Sequence, residues 1–139
     1  MTDQLGSAVD APAQVLLAED NLLNQRVVAL MLRKLGHRVD IVDNGAKAVE
    51  ACQSSNYLVV FMDVNMPTMN GLEATKRILS TASSSARPYI VAYTAGADLQ
   101  DCLAAGMDNY LAKPVTTQDI AFMLTQGEEA AARRSSDQD

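Results

Sequence analysis

Residues 59–71 read "VVFMDVNMPTMNG": four apolar residues, a single carboxylate at Asp63, then a run of turn formers. An apolar stretch this short, bounded by such residues, is a strand buried on both faces. A plain turn could use Asn or Gly without bringing a charge to the rim of the core. Asp63 is therefore read as placed for chemistry. The Met66-Pro67 and Asn70-Gly71 pairs turn the chain away and leave the face of Asp63 open.

The same rhythm runs outward in both directions. "QVLLA" is a short buried strand ending at Glu19-Asp20, followed by the helical pattern "NLLNQRVVALMLRKLG". Its expected core face is Leu23, Val27, Leu30, Met31 and Leu35, with Asp20 or Asn21 as the cap and Gly36 as the stop. "HRVDIV" is strand-like, and "NGAKAVEACQ" is a short helix with Ala46, Val49 and Cys52 or Gln53 near one face. After the Asp63 strand, "GLEATKRIL" is a helix and "STASSSA" a flexible connection. "RPYIVAYTA" makes a fourth strand, "DLQDCLAAG" a helix closed by Gly106, and "NYLA" a brief fifth strand. "TTQDIAFMLTQ" is a last amphipathic helix capped by Thr116 or Thr117. The boundaries expected are a flexible leader over 1–13, one domain over 14–126, and a flexible tail over 127–139.

Five alternations of strand and helix require parallel strands with right-handed crossovers, hence helices on both faces of the sheet. The fold class is α/β, a doubly wound five-stranded parallel sheet. Its order, 2-1-3-4-5, is taken from the flavodoxin-like class of such sheets and does not follow from spacing alone.

Bulk properties narrow the function. At 139 residues with 48% apolar content, the chain makes one domain with a real core. No apolar run is long enough to cross a bilayer, and the N-terminus lacks a basic-then-apolar signal pattern, so a cytoplasmic protein is expected. A formal charge of -6 argues against binding nucleic acid or an anionic membrane. Cys52 and Cys102 read as small core residues, and with His37 the only histidine a zinc site has too few ligands. Met62, Met66 and Met69 read as packing, and no glycine loop is present to cradle a phosphate.

In a sheet of this class the reactive groups gather at the carboxyl ends of the strands. Glu19 and Asp20 arrive there from strand 1, Asp63 from strand 3, Thr94 from strand 4 and Lys113 from strand 5. Three carboxylates crowded together repel one another, and a divalent cation offsets that repulsion; oxygen ligands suit Mg2+. Lys113 adds a fixed positive charge and Thr94 a hydroxyl. An exposed carboxylate nucleophile beside a metal, an ammonium and a hydroxyl can take a phosphoryl group in line. Taken singly, each residue has a plainer reading: Glu19-Asp20 as a helix start, Asp63 as a turn former, Lys113-Pro114 as a solvated turn, Tyr110 as packing. Their joint arrival at one sheet edge is what the plainer readings leave unexplained.

"LLAEDN", "FMDVNMPTMNGLEAT", "VAYTA" and "CLAAGMDNYLAKPV" resemble the receiver domains of response regulators, particularly those of hybrid histidine kinases, over residues 14 to 126. The resemblance implies that Asp63 is the phosphoacceptor. It implies that Asp20 holds Mg2+ directly and Glu19 through water, with the backbone carbonyl of Asn65 as a further ligand. Lys113 pairs with Asp63 and then with the phosphoryl group, across a cis peptide to Pro114. Thr94 moves toward the phosphoryl oxygen, Tyr110 swings inward behind it, and the small Ala95 leaves room. The implied donor is a histidine kinase or a histidine phosphotransfer domain, and the implied output is a regulated protein partner.

Three features depart from that pattern. Leu58 follows Tyr57 where an acidic residue is frequent, far from the site. Tyr93 precedes Thr94 where an aliphatic residue is usual, and is expected to crowd the movement of Tyr110. Thr94 and Lys113 lie 19 positions apart, about one helical turn short, so the fourth helix is expected to be trimmed. Three other functions fit these residues less well. A small aspartate-nucleophile phosphohydrolase needs an acid two residues after the nucleophile, where Asn65 stands. A flavin carrier needs a phosphate loop after strand 1. A degenerate receiver used only for binding does not need the full set Glu19, Asp20, Asp63, Thr94 and Lys113.

Overall fold

The computed structural model describes residues 14–83, 86–96 and 98–138. The expected leader over 1–13 lies outside them, as do part of the Ser/Ala connection and Ala97. The strands are β1 (Val15–Ala18), β2 (Val39–Val42), β3 (Val59–Met62), β4 (Tyr89–Thr94) and β5 (Asn109–Ala112). The helices are α1 (Leu22–Lys34), α2 (Gly45–Ser54), α3 (Gly71–Thr81), α4 (Leu99–Ala105) and α5 (Thr117–Gln138). All neighbouring strands pair in parallel, in the order β2-β1-β3-β4-β5. That is the expected doubly wound sheet.

Residues that bond their own backbone start the helices. Asn21, Asn44, Asn70 and Asp98 each cap one, their side chains accepting from an amide of the first turn. For α1 this selects Asn21 over Asp20 and leaves the Asp20 carboxylate available to the sheet edge. At α5, Thr116 and Asp119 cap each other reciprocally, Oγ1 accepting from the Asp119 amide at 3.1 Å and the carboxylate from the Thr116 amide at 2.9 Å. Trimmed α4 keeps seven residues and stops at Gly106, which takes the left-handed conformation.

Two apolar clusters flank the sheet. Leu16, Ala18, Val60, Met62, Ile90 and Ala92 face α2, α3 and α4; Val15, Leu17, Val59, Phe61, Val91 and Tyr93 face α1 and α5. β1, β3 and β4 are buried along their whole length, which is why they read as unbroken apolar runs.

Two expectations need correction. α1 buries Val28, Ala29 and Leu32, with Met31 and Leu35 packed beside them, and exposes Leu23 and Leu30. Apolar residues surround much of this helix, so its periodicity supports more than one face; the stripe at 28, 31, 32 and 35 wins because it meets β1 and α5 squarely. Second, the chain beyond Gly127 continues α5 to Gln138. Gly127 is buried where a Cβ would strike the Val59 side chain, and Ala130 is buried too. Arg134 Nη1 donates to the Arg87 carbonyl at 2.8 Å, tying this half of the helix to the start of β4. Small residues that suggest a solvated tail are here what lets the helix lie close against the sheet.

Candidate functional site at the strand ends

Parallel pairing continues one residue past three strands and so fixes the site backbone. The Glu19 amide donates to the Val42 carbonyl, the Asp63 amide to that of Ala18, and the Lys113 amide to that of Thr94, each at 3.0 Å. Beyond Asp63 the loop folds back until the Gly71 amide donates to the Val64 carbonyl at 2.9 Å. A Cβ at Gly71 would overlap the Asp63 carbonyl, so only glycine permits this return.

Glu19, Asp20 and Asp63 each present an oxygen within 4.8 Å of the others. Lys113 reaches between two of them, its Nζ 2.8 Å from Asp63 Oδ2 and 2.7 Å from Glu19 Oε1. The contact to Glu19 is short yet off the direction of a hydrogen bond, so that oxygen is held by charge. The other Glu19 oxygen accepts from the Asn21 amide at 3.0 Å, and Gln25 Nε2 grips the Glu19 carbonyl at 2.6 Å. Asp63 Oδ1 accepts from the Asn65 amide at 3.2 Å. Burial works against the Lys113 charge, but the hydrogen bond to Asp63 and the charges of Asp63 and Glu19 outweigh it and raise its pKa.

Three carboxylates facing one ammonium leave the pocket negative, and Glu19 Oε1 lacks a directed donor. Oxygen donors of this kind fit a hard divalent cation such as Mg2+. Glu19 is fully buried and Asp20 exposed.

Asp63 is not the exposed carboxylate expected from the sequence: it is 4% exposed, with Lys113 covering one oxygen and the Gly71 turn closing in behind. Thr94 is fully buried and its Oγ1 has no hydrogen-bond partner. Ala95 and Asn65 are exposed beside the pocket, Tyr110 is half-buried on β5, and the Lys113–Pro114 peptide is cis, as expected.

Tyr93 does not crowd Tyr110. It pairs across the ladder with Leu111, whereas Tyr110 pairs with Ala92, so the two rings lie on opposite faces of the sheet. The Tyr93 ring lies under Lys113 instead, with Nζ 4.6 Å from its centroid. Burial first, then the charges of Glu19 and Asp63, push the Tyr93 phenol up. Neither this contact nor Gln25 was assigned to the site from the sequence; the bulky residue next to Thr94 was the one signal that could have found it.

Known proteins share this fold and much of its sequence. The response regulator receiver domain profile matches residues 15–125. The chain is 38% identical to a probable histidine kinase 1 of Oryza sativa subsp. indica, covering 82% of this chain but 15% of that protein's length. Among solved structures, the receiver domain of a Pseudomonas aeruginosa sensor histidine kinase, with a magnesium ion in its active-site cleft, is 39% identical with a TM-score of 0.75. That match covers 84% of this chain and 97% of the other. A Saccharomyces cerevisiae response regulator's receiver domain, co-crystallised with a histidine phosphotransfer protein, is 31% identical with a TM-score of 0.72, covering 81% and 86%. The chain belongs to the receiver domain family of two-component response regulators.

Proposed function

We propose that Asp63 accepts a phosphoryl group from a partner's phosphohistidine in a Mg2+-dependent reaction, and that the modified domain regulates a protein partner. The observation that carries this reading is the Lys113 ammonium held 2.8 Å from Asp63 Oδ2 and 2.7 Å from Glu19 Oε1. In the transfer, an Asp63 oxygen bonds to phosphorus as the bond from phosphorus to the donor imidazole breaks, and the electron pair leaves with the imidazole. Lys113 exchanges its contact with the carboxylate for one with a phosphoryl oxygen, neutralising charge there. The buried Thr94 hydroxyl, without a partner, donates to another. Glu19, Asp20, Asp63 and the Asn65 carbonyl would hold Mg2+, which would supply charge neutralisation and orientation there.

The acyl phosphate replaces the Asp63 monoanion with a dianion placed further out, which biases Thr94 and Tyr110 toward a second arrangement. Ala95, small and exposed at the end of β4, leaves room for the group. The donor is a histidine kinase or a histidine phosphotransfer domain. Leu22, Leu23, Val27 and Leu30, exposed on the helix that starts beside Asp20, offer it an apolar seat.

Intact-mass measurement after incubation with Mg2+ and acetyl phosphate tests the proposal. Wild type gains one phosphoryl group and Asp63→Asn gains none. Continuous turnover of an external phosphate ester would instead make the domain a hydrolase, and no uptake at all would leave it a binding module.

A further inference from the structure

Tyr93 is the penultimate residue of β4, so its side chain turns to the sheet face opposite Thr94. It is 3% exposed and packs in the cluster that contains Val28, Val115 and Ile120. Its ring face carries the Lys113 ammonium at 4.6 Å. Beside the lysine, the ring forms the floor of a groove shared with Asn24, Val27, Val28 and Pro114.

Packing alone does not account for that arrangement, because a leucine would also fill the space between α1 and β4. A lysine stem is flexible, and holding it in one rotamer costs side-chain entropy. Carboxylates attract an ammonium from many directions, whereas a ring face attracts it along one. Chemistry adds a second consideration. When Asp63 becomes an acyl phosphate, the carboxylate that anchors Lys113 is converted to a mixed anhydride, and its charge moves outward onto the phosphoryl oxygens. The ring is unaltered by that change.

We propose that Tyr93 is a positioning residue for phosphoryl transfer, its ring face keeping the Lys113 ammonium at the pocket before and after Asp63 is modified. The inference rests on Asp63 being the acceptor. Tyr93 touches neither donor nor phosphoryl group and acts through the lysine. Its aromatic face is the active part.

The test compares single-turnover phosphorylation by acetyl phosphate in wild type, Tyr93→Phe, Tyr93→Leu, Lys113→Ala and the Tyr93→Leu/Lys113→Ala double variant. Tyr93→Phe keeps the rate within about twofold, and Tyr93→Leu lowers it roughly fivefold to tenfold. On the Lys113→Ala background the leucine costs nothing more, because the interaction it removes is already gone. Equal rates in wild type and Tyr93→Leu, a phenylalanine as poor as leucine, or additive losses in the double variant would each overturn the proposal. Proton NMR of the unmodified protein gives an independent readout. Lys113 ε-methylene protons over the ring resonate upfield in wild type and in Tyr93→Phe, and an ordinary shift in wild type refutes the contact even if Tyr93→Leu does not fold. A wild type that takes up no phosphoryl group while showing the upfield signal refutes the acceptor reading and leaves the ring–lysine contact standing.

Discussion

Lys113 and Asp63, 50 positions apart in the chain, meet at 2.8 Å because β4 lies between their strands and the Lys113 amide is tied to the Thr94 carbonyl. Removing the ammonium leaves two buried carboxylates without a counter-charge. Lys113→Ala therefore folds but loses about 3 kcal/mol of stability in chelator-treated buffer, and millimolar Mg2+ restores part of it. Urea unfolding with and without the metal measures both effects.

Mg2+ itself raises the melting temperature of wild type, since a ligand bound only by the folded state stabilises it. At ten times the dissociation constant the gain is about 1.4 kcal/mol. Asp20→Asn removes an exposed member of the acidic group and shrinks that gain. Thermal scans across a magnesium series test this, and an equal response in the variant removes Asp20 from the ligand set.

The exposed apolar face of α1 separates protein donors from small ones. Leu23, 68% exposed, makes little contribution to the core. Leu23→Asp leaves acetyl phosphate labelling of Asp63 unchanged and slows transfer from a phosphorylated histidine phosphotransfer protein by roughly tenfold, as expected when an apolar anchor is removed from an interface. Equal slowing with both donors would place the defect in the pocket and not at the docking face.

A side chain at residue 127 has no room. Gly127→Val pushes a branched side chain into Val59 and toward Tyr89, at a cost of about 2 kcal/mol. Truncation after Gln126 removes buried Ala130 and the Arg134 hydrogen bond to the Arg87 carbonyl, and lowers the melting temperature as well. Neither loss would occur if the segment were a solvated tail.

Burial pushes the Cys52 thiol up from 9.0 to about 11. The folded chain thus holds a proton that the unfolded chain has released between those values. The resulting stabilisation is complete below pH 9 and disappears as pH rises through 11. At pH 8 the folded thiol has roughly a hundredfold less thiolate than an unfolded one, so iodoacetamide labels Cys52 slowly until urea is added.

Much of this structure could be read in the letters. "VVFMDV" specified a buried strand ending in a carboxylate, and the five alternations dictated the crossovers and thus the edge where Glu19, Asp20, Thr94 and Lys113 gather. Periodicity could not choose the inward face of α1, because Leu22, Leu23, Val27 and Leu30 compete with Val28, Leu32 and Leu35. Composition misjudged the end of α5, where Gly127 and Ala130 enable a close approach that depends on what lies opposite. The same limit applied to Asp63 and Tyr93. How deeply a carboxylate sinks, and which cation sits over which ring, depend on neighbours from distant parts of the chain.

The Gly71 turn, where no side chain fits, also props the backbone under Asp63. A Cβ there would overlap the Asp63 carbonyl, so the main chain beneath Asp63 has no space to retreat into. Any larger residue at position 71 would displace the Asp63 carbonyl or the Met62 side chain, and so disturb the pocket from below without altering one of its side chains.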